Sequence, residues 1–121
     1  MKKKLISYMG FAKKSGNLIA GVNTCTFGMN RGKVKLVILA EDISENSEKK
    51  ILKEIRKHNV KYVKYGDSEE MSHAAGYSGR SVFAVCDDNF AKVILNEIDQ
   101  DNKGGIAYEN KGTGCRTETD R

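Results

Sequence analysis

The side chains that most often carry out catalysis are few and scattered in this 121-residue sequence. Its histidines and cysteines are His58, His73, Cys25, Cys86 and Cys115. They form no CxxC pair and no cluster at the spacing of zinc ligands, and three distant cysteines make no disulfide framework. No glycine-rich loop of the kind that holds nucleotide phosphates occurs either. We therefore expect no metal and no cofactor.

Adjacent carboxylates at Asp87 and Asp88 are the nearest approach to an acid–base pair. A helix is predicted to begin there, and capping of its first turn explains an aspartate at that place without catalysis. An enzyme that uses Cys86 or a carboxylate stays an alternative, although the sequence supplies no partner group for it. The first expectation is a protein that is not an enzyme and that has no small-molecule substrate.

A helix predicted over residues 22–31 carries the set of side chains with the clearest chemistry. At about 100° per residue, the side opposite its apolar positions holds four residues: Asn23, Thr24, Phe27 and Arg31. An amide, a hydroxyl, an aromatic ring and a guanidinium together suit a surface that stacks on bases and hydrogen-bonds their edges. A Phe27 that is covered by another element, or is simply exposed, is equally compatible with the sequence.

Positive charge is concentrated at the start of the chain. The formal net charge is +5, and the first forty residues contain eight Lys or Arg and no Asp or Glu. Such a distribution favours a polyanion partner, because lysine and arginine displace counterions from phosphates. A solvated lysine-rich surface is the alternative interpretation. The sequence has neither a run of about 18 apolar residues nor the pattern of a secretory signal. We therefore expect a cytoplasmic protein with no membrane partner.

Helices and strands are predicted to alternate along residues 1–100, which we expect to form one domain. Apolar spacing predicts helices over residues 4–14, 22–31 and 47–58, a short helix from Asp67 to Gly76, and a last helix after Asp87 or Asp88. Apolar runs predict strands over residues 17–20, 36–40, 60–65 and 82–86. This order predicts an α/β fold, a three-layer α-β-α sandwich with a four-stranded mixed sheet. Residues 101–121 have no apolar stripe and are predicted to be a disordered C-terminal tail.

Several segments resemble, in order, the signature of the ribosomal protein L-seven-Ae/L-thirty-e superfamily. Residues 21–26 (Gly-Val-Asn-Thr-Cys-Thr) and the pair Arg31-Gly32 are similar to its Gly-Ala-Asn-Glu-x-Thr-Lys and Arg-Gly elements, at matching spacing. Residues 36–42 are similar to its apolar strand ending in Ala-Glu-Asp. Residues 71–76 resemble its Leu-Gly-x-Ala-x-Gly motif, and residues 82–91 resemble the bacterial YlxQ-like branch. The resemblance covers about residues 3–99.

This resemblance implies a ribosome- or translation-associated monomer that binds kink-turn RNA or a similar structured RNA, such as ribosomal RNA. Family members place the start of the second helix in the widened groove beside sheared G·A pairs, and a loop after the fourth helix covers the extruded nucleotide. Together with the helix face described above, the resemblance gives these candidate RNA contacts: Gly21, Asn23, Thr24, Phe27, Arg31, Lys33, Lys35, Asp42, Gly76, Arg80, Ser81 and Val82.

The resemblance also implies roles within this set. Gly21 would allow close approach of a phosphate, and Asn23 would hydrogen-bond a G·A pair. Asp42 would lie beside the same site. In the covering loop, Arg80 would contact the RNA backbone while Val82 packs against the flipped base. The two lysines of the set would add phosphate contacts.

Three departures from the family pattern bear on specificity. Thr24 stands where the family has Glu, Phe27 stands where it has Lys, and Met71-Ser72 stands where it has Leu-Gly. The first two remove a carboxylate acceptor and a positive charge, although stacking by Phe27 could replace the lost charge. They leave a second hypothesis open, in which the chain is a protein-interaction module that kept the fold and lost kink-turn specificity.

Overall fold

A computed structural model describes residues 3–102, with side chains described through residue 100. The elements follow the predicted order: α1 (Lys3–Lys14), β1 (Leu18–Ala20), α2 (Val22–Asn30), β2 (Leu36–Leu39), α3 (Glu45–His58), β3 (Lys61–Lys64), α4 (Ser68–Ala74), β4 (Val82–Val85) and α5 (Asp88–Asn102). The predicted tail over residues 101–121 lies outside the described residues, apart from the two that end α5. Within the part of the chain that is described, no helix is long and apolar enough to span a membrane.

The four strands form one mixed sheet in the order β1-β4-β2-β3. Strands β2 and β3 are parallel, whereas β4 runs antiparallel to both β1 and β2. The continuous apolar sequence of β2 and β4 reflects their central position, since every residue of both strands is buried. The predicted α/β fold with a four-stranded mixed sheet is therefore confirmed.

Helices cover both faces of this sheet. On one face, α1, α4 and α5 pack on the sheet through residues such as Leu5, Met71 and Ile94. On the other face, α2 and α3 pack on it through residues such as Met29 and Ile51. Successive residues of a strand point to opposite faces, so each central strand contributes to both clusters. The three layers of the predicted sandwich follow from this arrangement.

Side chains cap the first turns of the last three helices. Ser44, Asp67 and Asp87 each accept the backbone N–H three residues later, at 3.3, 3.1 and 3.0 Å. The two aspartate caps agree with the sequence analysis, and Asp87 rather than Asp88 is the capping residue of α5. The sequence analysis did not predict the serine cap. Because Ser44 caps the helix, α3 begins at Glu45, two residues before the predicted start.

Different strand termini lie at the two ends of the sheet, which we call the upper edge and the lower edge. The upper edge is where β1, β2 and β3 end and β4 begins, at Ala20, Leu39, Lys64 and Val82. The lower edge is where β1, β2 and β3 begin and β4 ends, at Leu18, Leu36, Lys61 and Val85. The loops that enter α2 and β4 therefore meet at the upper edge.

Candidate functional site

The start of α2 lies at the upper edge and is open to solvent. Gly21 is its N-terminal cap residue, with φ 100° and ψ 147°, and no side chain caps the helix. The Gly21 amide donates to the Val82 carbonyl at 2.8 Å, which fixes the helix entry against β4. No acidic residue lies in the first turn. Uncapped amides at a helix N-terminus attract anions, so this end of α2 can receive a phosphate.

The side chain of Arg80 lies directly beside Gly21. A Cβ atom at Gly21 would lie 3.7 Å from both Cδ and Nε of Arg80, and 3.9 Å from Oγ1 of Thr24. Arg80 is exposed, and its Nη1 donates to the Ser78 carbonyl at 3.1 Å. A guanidinium and an uncapped helix N-terminus therefore share one surface, which would hold the same anionic group from two sides.

Residues 75–81 form the loop that carries Arg80 from α4 to β4. Gly76 has φ 76°, as the residue after a helix end often does, and lets the chain leave α4. The Ser81 carbonyl accepts the Ala40 amide at 2.9 Å, which fastens the end of the loop to β2. The loop thus stands at the upper edge beside the start of α2, where the sequence analysis expected it.

Asn23 and Thr24 are both exposed in the first turn of α2, as expected. Asp42 follows β2 at the same edge, but its carboxylate already serves the fold. It accepts from the backbone N–H and the hydroxyl of Ser68, at 2.9 and 2.7 Å. These hydrogen bonds, the hydroxyl first, hold the pKa of Asp42 below its ordinary value. Asp42 therefore attaches the start of α4 to the end of β2, and it remains exposed at the upper edge.

Phe27 lies further along the outer face of α2, and Arg31 is the C-terminal cap residue of that helix. The Phe27 side chain is 61% exposed, so no other described element covers it. The Arg31 guanidinium carbon lies 5.5 Å from the centre of its ring, within cation–π range. Arg31 is eight positions beyond Asn23, which separates the two by about 12 Å along a helix. These two residues form a second surface on α2 and are not part of the cluster at the upper edge.

Besides that pair, three more residues of the expected set do not join the upper-edge cluster, which consists of Gly21, Asn23, Thr24 and Arg80. The Val82 side chain has 0% exposure, since it packs in the core between β4 and the α2/α3 layer. It therefore cannot pack against a flipped base, and only its carbonyl serves the site. Lys33 and Lys35 precede β2 and lie at the lower edge, where the Lys35 amide donates to the Val85 carbonyl at 2.8 Å. The length of β2 separates them from Arg80.

The thiol of Cys25 anchors α2 to the sheet, 3.9 Å from the carbonyls of Ile19 and Val82. Burial, with a smaller contribution from Cys86, raises the pKa of Cys25 from 9.0 to about 12. The folded chain thus keeps this thiol protonated at a pH where the unfolded chain ionises it. The contribution of the protonated Cys25 thiol to the free energy of unfolding is complete below pH 9.0. It is lost as the pH rises toward about 12.

We predict that the stability advantage of wild type over Cys25→Ala shrinks above pH 9.0. The expected loss is about 1.4 kcal/mol per pH unit, because only the wild-type unfolded state gains by ionising this thiol. Urea unfolding of both proteins at several values between pH 8 and pH 11 measures the difference. A gap that does not change with pH would contradict the assignment.

The remaining catalytic alternatives gain no support from the described residues. No group of three His, Cys, Asp or Glu among them is placed to hold a metal ion. Burial raises the pKa of Cys86, against smaller opposing effects of Lys33 and Lys35, whereas a nucleophilic cysteine needs a depressed pKa. His58 bonds to the Asn30 amide oxygen at 2.8 Å and lies 3.7 Å from Glu54, so it ties α3 to the end of α2.

Sequence reasoning missed two residues that shape the site. Ser72 is buried beneath the loop, and its hydroxyl bonds to the backbone of Arg80. Tyr77 lies in the loop, with Lys13 Nζ 4.9 Å and Arg80 Cζ 5.8 Å from its ring centre. The only sequence signal for Ser72 was its replacement of a glycine in the family motif.

Comparison with known proteins shows a family and gives several relatives of this chain. The model of the ribosomal protein L7Ae/L30e/S12e/Gadd45 family matches residues 3–95. A Bacillus subtilis protein named RNA-binding protein YlxQ is 28% identical over 91 residues, which are 75% of this chain and 91% of that protein. Its namesake from Enterococcus faecium is 30% identical over 91 residues, which are 75% of this chain and 87% of that protein.

Solved structures give the same fold. A Bacillus halodurans protein of unknown function superposes with a TM-score of 0.74 at 26% identity, covering 81% of this chain and 99% of the other. A Giardia lamblia protein described as a 15.5 kD RNA-binding protein superposes with a TM-score of 0.62 at 20% identity, covering 83% and 89%. At that identity the second likeness concerns the fold alone.

Proposed function

We propose that this chain, which belongs to the ribosomal protein L7Ae/L30e/S12e/Gadd45 family, binds structured RNA of the kink-turn type without catalysing a reaction. The names of its Bacillus and Enterococcus relatives support RNA as the partner. We further propose that it acts in the cytoplasm in association with translation. The observation that carries the proposal is the Arg80 side chain lying beside the uncapped start of α2.

The upper edge would hold the RNA backbone at its sharp bend. A phosphate at the start of α2 would accept hydrogen bonds from the first-turn amides, while the Arg80 guanidinium would approach it from the loop. Gly21 matters here because a side chain at this position would fill the space between Arg80 and Thr24. This arrangement recognises the shape of the backbone and carries little sequence information.

Base edges would be read by the exposed polar residues of the first turn. The Asn23 amide can donate to and accept from one base edge, as sheared G·A pairs require. Thr24, exposed beside it, offers one hydroxyl in place of the carboxylate of the family pattern. We therefore propose that Asn23 carries more of the specificity than Thr24 does.

Phe27 and Arg31 would extend the contact along α2. An exposed aromatic ring with a guanidinium over it offers both a stacking face and a phosphate partner. RNA leaving the bend at the upper edge would meet this pair about 6 to 12 Å further along the helix axis. Lys33 and Lys35, at the lower edge, would contribute only a long-range electrostatic attraction for the RNA.

The proposal is tested by comparing a kink-turn RNA with a matched duplex that lacks the G·A pairs, at two salt concentrations. We expect at least about tenfold tighter binding of the kink-turn, and affinity for both RNAs that falls as salt rises. Equal, salt-sensitive binding to both would reduce the function to a general basic surface. Binding to neither RNA would overturn the proposal and favour the protein-interaction hypothesis. In that case Phe27, which is 61% exposed, would be the residue that contacts the partner protein.

A further inference from the structure

Ser72 is a buried serine whose hydroxyl both donates to and accepts from the backbone of one residue eight positions away. Its Oγ accepts the Arg80 amide at 2.9 Å and donates to the Arg80 carbonyl, also at 2.9 Å. Ser72 itself is 2% exposed and belongs to α4. These two hydrogen bonds connect the end of α4 to Arg80, near the end of the loop over residues 75–81.

The tie acts on a loop whose backbone is held near its start by the Tyr77 amide and at its end by the Ser81 carbonyl. It contains two glycines with positive φ, Gly76 and Gly79, and a Cβ atom at either would meet nothing within 4 Å. Glycine adds backbone freedom that a loop must lose when it becomes ordered. Without the Ser72 hydroxyl, the Arg80 amide and carbonyl would lose these two protein partners. The hydroxyl therefore adds two hydrogen bonds that restrict the backbone position of Arg80.

A second contact restrains the Arg80 side chain itself. The Lys13 ammonium and the Arg80 guanidinium both lie near the Tyr77 ring, at 4.9 and 5.8 Å from its centre. The Tyr77 amide is held in turn by the Ser72 carbonyl at 2.7 Å. Ser72 thus fixes the backbone of both loop residues, and the Tyr77 ring limits the directions that Arg80 can take.

From this geometry we infer that Ser72 is a positioning residue, which sets Arg80 beside Gly21 before any RNA arrives. The inference rests on the proposed function and deepens it. A pre-set arginine loses less conformational freedom on binding, so the affinity for the same phosphate contact is higher. The family motif has glycine at this position, and a glycine has no hydroxyl with which to make the tie. Serine at this position therefore adds a preorganisation that a glycine would not supply.

The test combines Ser72→Ala with Arg80→Ala in a double-mutant cycle, using the same kink-turn RNA as probe. We expect Ser72→Ala to weaken binding by about three- to tenfold, the range of one or two net hydrogen bonds. In the Arg80→Ala background the same change should have almost no effect, since the group it positions is gone. An equal loss in both backgrounds would assign Ser72 a general structural role and overturn the inference.

A second measurement does not depend on RNA. Amide hydrogen exchange of the free protein should be faster in Ser72→Ala at Arg80 and across residues 75–81, and unchanged in β1 and β2. Ser78→Ala is the matched control, because Ser78 is exposed in the same loop and alanine keeps the carbonyl that Arg80 uses. Unchanged exchange at Arg80 would overturn the inference. If the wild-type protein binds neither RNA, the proposed function is wrong. The hydrogen-exchange result still shows, independently of RNA, whether Ser72 holds the loop in place.

Discussion

Replacing Arg80 by alanine should weaken kink-turn binding by about 10- to 100-fold, which corresponds to the roughly 1.5–3 kcal/mol of a charged hydrogen bond. The reason is geometric. Arg80 is the basic side chain whose atoms lie nearest to a Cβ position at Gly21 among the residues that the structure describes, so its guanidinium is the one placed to contact a phosphate there. Fluorescence titration of the RNA at fixed salt measures the effect. The fold should survive, since the Arg80 side chain is exposed and its amide and carbonyl, which Ser72 holds, are kept.

Arg56→Ala is the matched control for this loss. Arg56 is exposed in the last turn of α3, at the lower edge, and its removal lowers the net charge by the same amount. We expect its effect on affinity to stay within about twofold, the size of a distant screened charge. Equal losses in both variants would mean that Arg80 acts only through net charge, and would remove it from the site.

Gly21→Ala should lower both stability and RNA affinity. At φ 100° and ψ 147° the backbone lies where L side chains rarely occur. Alanine there should cost about 1–3 kcal/mol of unfolding free energy. Its Cβ atom would also stand 3.7 Å from Cδ and Nε of Arg80, in the space where a phosphate would approach. We expect about a tenfold loss of affinity or more, measured alongside urea unfolding, because the new methyl group blocks a close backbone contact.

Gly16→Ala separates these two effects. Gly16 also has a positive φ, 80°, but it precedes β1 at the lower edge, and a Cβ atom there would meet nothing within 4 Å. We expect a loss of stability from the strained backbone with no change in RNA affinity. If both glycine variants lose affinity together, the effect of Gly21→Ala comes from general destabilisation. If Gly21→Ala binds like wild type, the start of α2 is not the contact.

The fold could be predicted from the sequence because its signals are local. The apolar run of β2 and the stripes of the helices are patterns of neighbours, and they placed all nine elements in the described residues. The outer face of α2 was likewise predictable, since helical geometry alone puts Asn23 and Phe27 on its exposed side.

The site was less predictable because it depends on which ends of elements meet. Lys35 is close in sequence to Asp42, yet β2 lies between them and places them at opposite edges of the sheet. Val82 follows the loop directly, but its position in β4 turns its side chain into the core. The pairing of Ser72 with Arg80 depends on the path of a loop with two positive-φ glycines, which no periodic pattern describes.

The strand order also governs when the upper-edge cluster can assemble during synthesis. Strand β1 pairs only with β4 in the sheet. Leu18 therefore cannot pair until Val85, which lies far along the chain, has been synthesised. The ribosome delivers the N-terminal part first, and the basic α1 and the start of α2 emerge long before the strand that fixes them. Arg80 emerges immediately before β4. The arginine and the sheet that aligns it with Gly21 therefore arrive together, so a nascent chain that ends before β4 has a positive charge but no assembled site.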